Sequence, residues 1–305
     1  MENLPLVSVL CLCYNQEKFI TESLESIKSQ SYKSFEILIC DDSSKDGSVA
    51  IIESWIQKNP DLKIIFIKHQ QNKGITKTLN ELLQLSSGKY IQLLALDDIL
   101  MPDKFENHVK ILENSLDNEV MVFSDAHLID DDSMLYQNKF IARHMNYLSL
   151  KSENYFEKLL TVNFIPAMSA LIKKQAIENL GGWDEDLSYE DHDMWLRLSK
   201  ENNFIFSNQI SCSYRLHANN SHKKRSVINE SAIFKTFIKH KENGNVRDLI
   251  FKNLESIYLQ NALSDEHQLF FSHYPVKSFP EWLIKNNFNT TLYRITKKIK
   301  KIINL

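Results

Sequence analysis

The sequence predicts an α/β fold: a mostly parallel sheet flanked by helices, followed by a helical extension. Three observations carry this. From Val7 to Phe123, apolar runs too short for globular helices alternate with segments of helical period. The runs are apolar throughout instead of alternating with polar residues, the pattern of strands covered on both faces. Beyond Ser226 the periodicity is helical to the end, with Gly244 the one glycine there.

Taken in order, Val7–Cys13 is the first strand, ended by the polar Asn15-Gln16-Glu17. Ile20, Leu24 and Ile27 recur at helical spacing up to Gln30-Ser31. Phe35–Cys40 is the second strand and ends in Asp41-Asp42; Asp46-Gly47-Ser48 then opens a helix with Val49, Ile52 and Ile56 on one face. Leu62–Ile67 is the third strand, and after Gln71-Asn72-Lys73-Gly74 a helix turns Ile75, Leu79, Leu82 and Leu83 inward. Tyr90–Leu96 is the central strand, with Gly88 before it and the carboxylate pair Asp97-Asp98 behind it. Pro102-Asp103 suits a helix start, and Phe105, Val109 and Leu112 follow on its face. Val120–Phe123 closes the alternation. The later pieces are the turn Asp130–Ser133, a strand Ser169–Ile172, a helix Lys174–Leu180, a helix Glu190–Ser199 and a strand Ile210–Leu216. The expected division is a sheet domain over 1–225 and a helical extension over 226–305.

A chain of 305 residues, 43% hydrophobic and 25% charged, can bury a large core, and a net charge of -3 offers no global attraction to nucleic acid. Cys11, Cys13, Cys40 and Cys212 form no Cys-x-x-Cys pair, so free, buried, reduced thiols are expected. Met1-Glu2-Asn3-Leu4-Pro5 lacks the basic-then-apolar pattern of a signal peptide, and no apolar run nears the ~18 residues of a membrane span. A cytoplasmic protein is the expectation.

In an open α/β sheet, ligands collect at the carboxyl ends of the strands. Asn15-Gln16-Glu17, Asp41-Asp42 and Asp97-Asp98 would fall along one such rim, and Glu190-Asp191-His192-Asp193 opens a later helix. Turns favour Asp and Asn for backbone reasons, so one cluster means little; three in register point to a nucleotide pocket. No Gly-x-Gly-x-x-Gly and no Walker loop is present, so phosphates held here would need a cation such as Mg2+ or Mn2+, which Asp97-Asp98 suits.

Val7–Asn15, Ile39–Ser48, Asn72-x-Gly74 with Asn80, Gly88–Ile91 and Leu96-Asp97-Asp98 together resemble family 2 glycosyltransferases of the GT-A fold. Gly181-Gly182-Trp183-Asp184-Glu185 and Glu190-Asp191-x-Asp193-x-Trp195-Leu196-Arg197-Leu198 resemble the acceptor-side motif, and Tyr214-Arg215-Leu216-His217 the closing segment. The resemblance covers about two-thirds of the chain and fades after Ser226. It implies an inverting enzyme of bacterial polysaccharide synthesis, moving a sugar from a nucleotide-sugar donor, a UDP-sugar first, to a glycan or lipid-linked glycan. Asp42 would meet the base, with Asn15, Glu17 and the backbone around Leu12 and Tyr14 in the same pocket. Asp97 would face the ribose, Asp98 would ligate Mn2+ or Mg2+ on the diphosphate, and His217 would join it as metal or phosphate contact. Asp191 would be the general base, its pKa held up by Glu190 and Asp193. Leu79 replaces the family's usual Arg or Ala, so Lys77 is the substitute positive contact. Leu96 departs from the usual metal motif.

Two other readings remain open on the residues. A sugar-phosphate nucleotidylyltransferase would want a Gly-rich, Arg-bearing loop where Cys13–Glu17 stands, and a non-catalytic nucleotide-sugar or glycan-binding module would keep the fold without turnover. At the C-terminal end, Leu292, Ile295, Ile299 and Ile302 recur at helical spacing among Lys297, Lys298, Lys300 and Lys301. Such a helix either lies peripherally on the inner membrane's cytoplasmic face or packs on its own domain.

Overall fold

The first four apolar runs become four parallel strands, β1 (Val7–Cys13), β2 (Phe35–Asp41), β3 (Ile64–Lys68) and β4 (Tyr90–Ala95), in the spatial order β3-β2-β1-β4. Helices α1 (Ile20–Lys28), α2 (Ser48–Lys58) and α3 (Ile75–Leu85) make the crossovers that parallel pairing requires. This computed structural model describes residues 4–147, 150, 155–218 and 227–303. The chain divides into two compact units, Met1–Glu185 with Tyr189–Asn220, and Asp186–Ser188 with Ser221–Leu305. The expected boundary at 225/226 lies outside the described residues.

Strand order reverses at β1, which has β2 on one side and β4 on the other, and the register there sets the site. Cys13 lies beside Asp41, and Leu12 beside Ala95, so β1, β2 and β4 end at one level. At the opposite end Gly88 is required by space: a Cβ there would meet the Ser8 nitrogen at 2.6 Å and the Leu6 oxygen at 2.8 Å. The core of this half is Val7, Val9, Ile37, Ile39 and Leu94 with Ile20, Leu24, Ile27 and Ile52 from the helices. All four cysteines are free and buried.

Beyond β4 the pairing changes. β8 (Leu171–Lys173) runs antiparallel between β4 and β6 (Glu119–Ile129), while β9 (Asn203–Arg215) runs parallel to β6. The two-residue β5 (Ile99–Leu100) pairs antiparallel with β9, and β7 (Leu135–Lys139) with β6. The sheet as a whole is therefore mixed, with one parallel block in β1–β4 and a second parallel pair in β6 and β9. Helices α4 (Lys104–Glu113), α5 (Tyr155–Thr161), α6 (Lys174–Asn179) and α7 (Asp191–Ser199) complete the first unit.

Strands β6 and β9 are much longer than the apolar runs 120–123 and 210–216 that announce them. Several of their polar residues break the hydrophobic pattern yet stay buried because they are paired. Ser124 Oγ lies 2.6 Å from Ser211 Oγ, and Asp125 Oδ1 accepts the Ile141 N–H at 2.6 Å.

The second unit is helical: α8 (Val227–Ile238), α9 (Val246–Leu259), α10 (Leu269–His273), α11 (Phe279–Lys285) and α12 (Thr290–Ile303). Ile250, Leu254, Ile257, Phe270, Leu283 and Ile284 form its interior. Among the described residues no helix is long and apolar enough to cross a membrane.

Candidate active site

The loops after β1 and β2 are stitched together by the polar residues that end those strands. Asn15, in the left-handed region at φ 53°, accepts the Lys45 N–H on its Oδ1 at 2.7 Å, and its own N–H donates to Ser44 Oγ at 2.9 Å. Glu17 Oε2 accepts the Gly47 N–H at 2.6 Å. These two residues therefore brace the rim. Leu12 is half-buried and its carbonyl accepts the Leu96 N–H, while Tyr14 stands half-exposed at the edge.

Asp42 is the hub of the next loop. Its Oδ1 lies 2.7 Å from His69 Nδ1 and accepts the Lys73 N–H at 2.8 Å, and Oδ2 accepts the Gly74 N–H at 2.9 Å. A carboxylate accepts about four hydrogen bonds, so Asp42 keeps capacity for one more. Its neighbour Asp41 has a buried Oδ2 with no partner in the structure. Lys77 is exposed on the first turn of α3. Lys73 pairs instead with Glu81 at 2.9 Å.

At the end of β4 the two carboxylates are drawn inward. Asp98 Oδ1 accepts the Arg215 N–H at 2.9 Å, and His217 Nε2 lies 2.8 Å from Asp97 Oδ2. The Arg215 side chain wraps the turn: Nε donates to the Asp97 carbonyl at 2.8 Å, Nη1 to the Asp130 carbonyl at 2.8 Å, and Nη2 to Glu22 Oε2 at 2.5 Å. Burial, then the charge of Asp97, pushes the Asp98 carboxyl well above the ordinary carboxylate range, with Glu190 adding to it and Arg215 opposing.

Among the described residues no three His, Cys, Asp or Glu side chains are grouped so as to hold a metal by themselves. A Mg2+- or Mn2+-type site does not need that, since one or two carboxylates suffice when substrate phosphates complete the shell. The unfavourable charge of Asp98 beside Asp97 is what a cation would relieve, so this donor set, with the His217 imidazole, fits a hard divalent ion.

The acidic helix start comes from the other half of the sheet. Asp191, the first residue of α7, is half-buried; its Oδ2 accepts from Asn163 Nδ2 at 2.7 Å and its Oδ1 from the His192 N–H at 2.6 Å. Glu190 is pushed up to about 8, by burial first and then by Asp191. Asp193 is buried and pairs with Arg197 Nε at 2.7 Å. Tyr214 ties the halves together: its phenol is raised by burial and then by the charges of Asp98, Asp97, Asp191 and Glu190. The four carboxylates therefore act electrostatically on one phenol.

These are the motifs of a known family. Residues 8–181 match the model of glycosyl transferase family 2. The chain belongs to that family. Among its relatives, an uncharacterised glycosyltransferase of Methanocaldococcus jannaschii is 31% identical over 70% of this chain and 71% of its own. WfaP of Escherichia coli, a UDP-Glc:alpha-D-GlcNAc-diphosphoundecaprenol beta-1,3-glucosyltransferase, is 30% identical over 76% of this chain and 86% of its own. Among solved structures, S. aureus TarS 1–349 in complex with UDP-GlcNAc superposes with a TM-score of 0.63 at 15% identity, over 91% of this chain and 78% of TarS 1–349. The mannosyltransferase PcManGT of Pyrobaculum calidifontis, with GDP-Man and Mn2+, gives 0.61 at 19% identity, over 98% of this chain and 85% of its own. These likenesses carry the GT-A fold, and the family makes this chain a glycosyltransferase.

Sequence reasoning missed Asn163, which orients Asp191, and the anchoring role of Arg215. Asn163 lies between α5 and β8 in a stretch with no acidic cluster or repeat to mark it. Asn80 gains a physical role as well. Its Oδ1 accepts the Trp183 N–H at 2.8 Å and its Nδ2 donates to the Trp183 carbonyl at 2.9 Å. Gly182, at φ 81°, permits this approach, because a Cβ there would lie 2.5 Å from Asn80 Oδ1.

Proposed function

We propose that this glycosyltransferase inverts the anomeric carbon as it moves a sugar from a nucleotide-sugar donor, a UDP-sugar first, to a hydroxyl of a glycan or lipid-linked glycan. The observation that carries the reading is that the charges of Asp97 and Asp98, at the end of β4, and of Asp191 and Glu190, at the start of α7, all act on the phenol of Tyr214. It supports a pair of carboxylates from one element working with an acidic residue from another. WfaP's UDP-Glc donor and diphosphoundecaprenol-linked acceptor support the substrate classes. The GDP-Man and Mn2+ of PcManGT support a cation and keep a second donor base in the test.

In this mechanism Asp42, with its remaining lone pair, accepts from the base, and the Leu12–Glu17 segment forms the pocket wall. Asp97 faces the ribose. Asp98 and His217 would hold a divalent cation, Mn2+ or Mg2+, which when bound offsets charge on the leaving diphosphate. Asp191 takes the proton of the acceptor hydroxyl as its oxygen bonds to the anomeric carbon and the bond to the diphosphate breaks on the opposite face. Asn163 and the His192 N–H fix the carboxylate for that transfer.

The test is transfer and slow donor hydrolysis with UDP- and GDP-sugars, with and without Mn2+, in the wild type and Asp191→Asn. The variant should retain donor binding and lose ~100-fold or more in turnover, the scale of a lost general base. Donor affinity lost together with activity would move Asp191 to the donor site. A protein that binds donor but neither transfers nor hydrolyses it would be a binding module. A lipid-linked acceptor also favours peripheral contact with the cytoplasmic face of a membrane through the lysines of α12.

A further inference from the structure

We infer that α11 and the turn into α12 form an aromatic wedge that seats the second unit on an anionic lipid surface. The inference extends the membrane reading of the α12 lysines to a second element and a different chemistry, and rests on that reading only for the lipid's charge.

Helix α11 is inverted in character. Its inward residues are Leu283 and Ile284 together with Glu281, whose carboxylate is buried and paired with Arg247 at 2.7 Å. Its outward face, where a soluble helix places polar groups, carries Phe279 and Trp282, 54% and 42% exposed. Their rings stack at 5.8 Å with planes 11° apart, and Phe288, 44% exposed, lies 5.1 Å from Trp282. The Tyr258 hydroxyl donates to the Phe288 carbonyl and holds that turn against α9. On α12, Tyr293 faces inward while Leu292 and Ile295, three residues apart, remain 40% and 48% exposed. A cluster of three aromatic rings thus stands in water, with Leu292 and Ile295 exposed on the adjoining helix, and such a patch marks an interaction site.

Charge decides the partner. No acidic residue follows Glu281, and Lys285, Arg294 and Lys298 are exposed; Lys297 is paired with Glu255 at 3.0 Å. The side chains of Ile299, Lys300, Lys301 and Ile302 lie outside the described residues. A second copy docking by this face through a two-fold axis would bring these cations against their own equivalents. An anionic bilayer instead offers headgroups to the cations and the water–hydrocarbon boundary to the aromatic rings, where tryptophan is enriched.

The experiment uses the full chain with phosphatidylethanolamine–phosphatidylglycerol vesicles and with neutral phosphatidylcholine vesicles. Of the four tryptophans, Trp55, Trp183 and Trp195 are buried, so Trp282 is the one that brominated acyl chains should quench. Quenching of the wild type by anionic vesicles, absent in Trp282→Phe, is the expected result. Vesicle affinity should fall about tenfold or more in the combined Phe279→Ser, Trp282→Ser, Phe288→Ser variant, since each ring carries a large apolar area. Combined Lys285→Gln, Arg294→Gln and Lys298→Gln should weaken binding at low salt and flatten its salt dependence. Binding that needs the cations but not the rings, with no quenching, overturns the wedge and leaves the lysine reading standing. No vesicle binding overturns both. A wild-type dimer by sedimentation velocity that the aromatic variant loses assigns the face to a second copy. The single Trp282→Phe variant keeps the quenching test decisive if the combined variant does not fold.

Discussion

Arg215 is not itself a proposed ligand of donor or cation, which makes Arg215→Met a sharp test of how the Asp97-Asp98 turn is held. The residue is 1% exposed, and its guanidinium lies 4.6 Å from the centre of the Phe19 ring. Methionine keeps part of the stem and loses the donors to Asp97 O, Asp130 O, Ser133 Oγ and Glu22 Oε2. A buried acceptor left without a donor costs ~1–3 kcal/mol. The Glu22 side chain is 47% exposed and returns to water, so its loss adds little. With the Asp97 and Asp130 carbonyls both losing a donor the sum is about 2–6 kcal/mol, which spans the range for breaking a buried pair. Urea unfolding, read by midpoint and slope, measures it. Arg215→Lys should fall between wild type and Arg215→Met, because one ammonium cannot reproduce the fork. Activity should then require more Mn2+ in Arg215→Met, since Asp98 loses the positive charge that favours its ionised form. A stability change within ~0.5 kcal/mol, the scale of an ordinary surface substitution, refutes the anchoring argument.

Asp98→Ala should abolish metal-dependent turnover while the protein still unfolds cooperatively, and turnover unchanged at every metal concentration would remove Asp98 from the cation site. Asn163→Ala should lower kcat by ~10-fold with the donor KM nearly unchanged, because the lost hydrogen bond orients Asp191 and touches no donor; an equal rise in KM would count against that role. Lys104 is buried, donates to the Ser169 carbonyl at 2.7 Å and is pushed down to about 7 by burial. Above that value the folded state binds fewer protons than the unfolded chain, so Lys104 makes stability rise with pH up to the ordinary lysine value of 10.5. The buried Cys13, Cys40 and Cys212 thiols, raised to about 12, work in the opposite direction from the ordinary thiol value of 9.0 upward, and Glu190, raised to about 8, works in the opposite direction below that value, so the clean window is pH 8 to 9. Lys104→Met should flatten the stability profile there by up to ~1.4 kcal/mol per pH unit, and an unchanged slope would show that Lys104 is not the titrating group.

The opening strands and the acidic clusters at their ends were legible from residue order alone, because burial on both faces demands continuous apolar runs. A run that ends in Asp-Asp marks its own carboxyl end. The family resemblance was legible for the same reason: Asn15, Asp42, Asp97, Asp98 and Asp191 sit in short contiguous motifs. What only the tertiary structure decided is pairwise and long-range. Whether β8 enters the sheet antiparallel, and how far β6 and β9 extend, depends on partners such as Ser124 with Ser211, 87 residues apart, whose polarity hides their burial. Arg215 and Asp97 are 118 residues apart, and the Asn163–Asp191 and Asn80–Trp183 contacts likewise join separate elements. The aromatic face of α11 stayed hidden because Phe279, Trp282 and Leu283 all read as core in a linear pattern. Packing alone sends Leu283 inward and leaves the two aromatic rings in water.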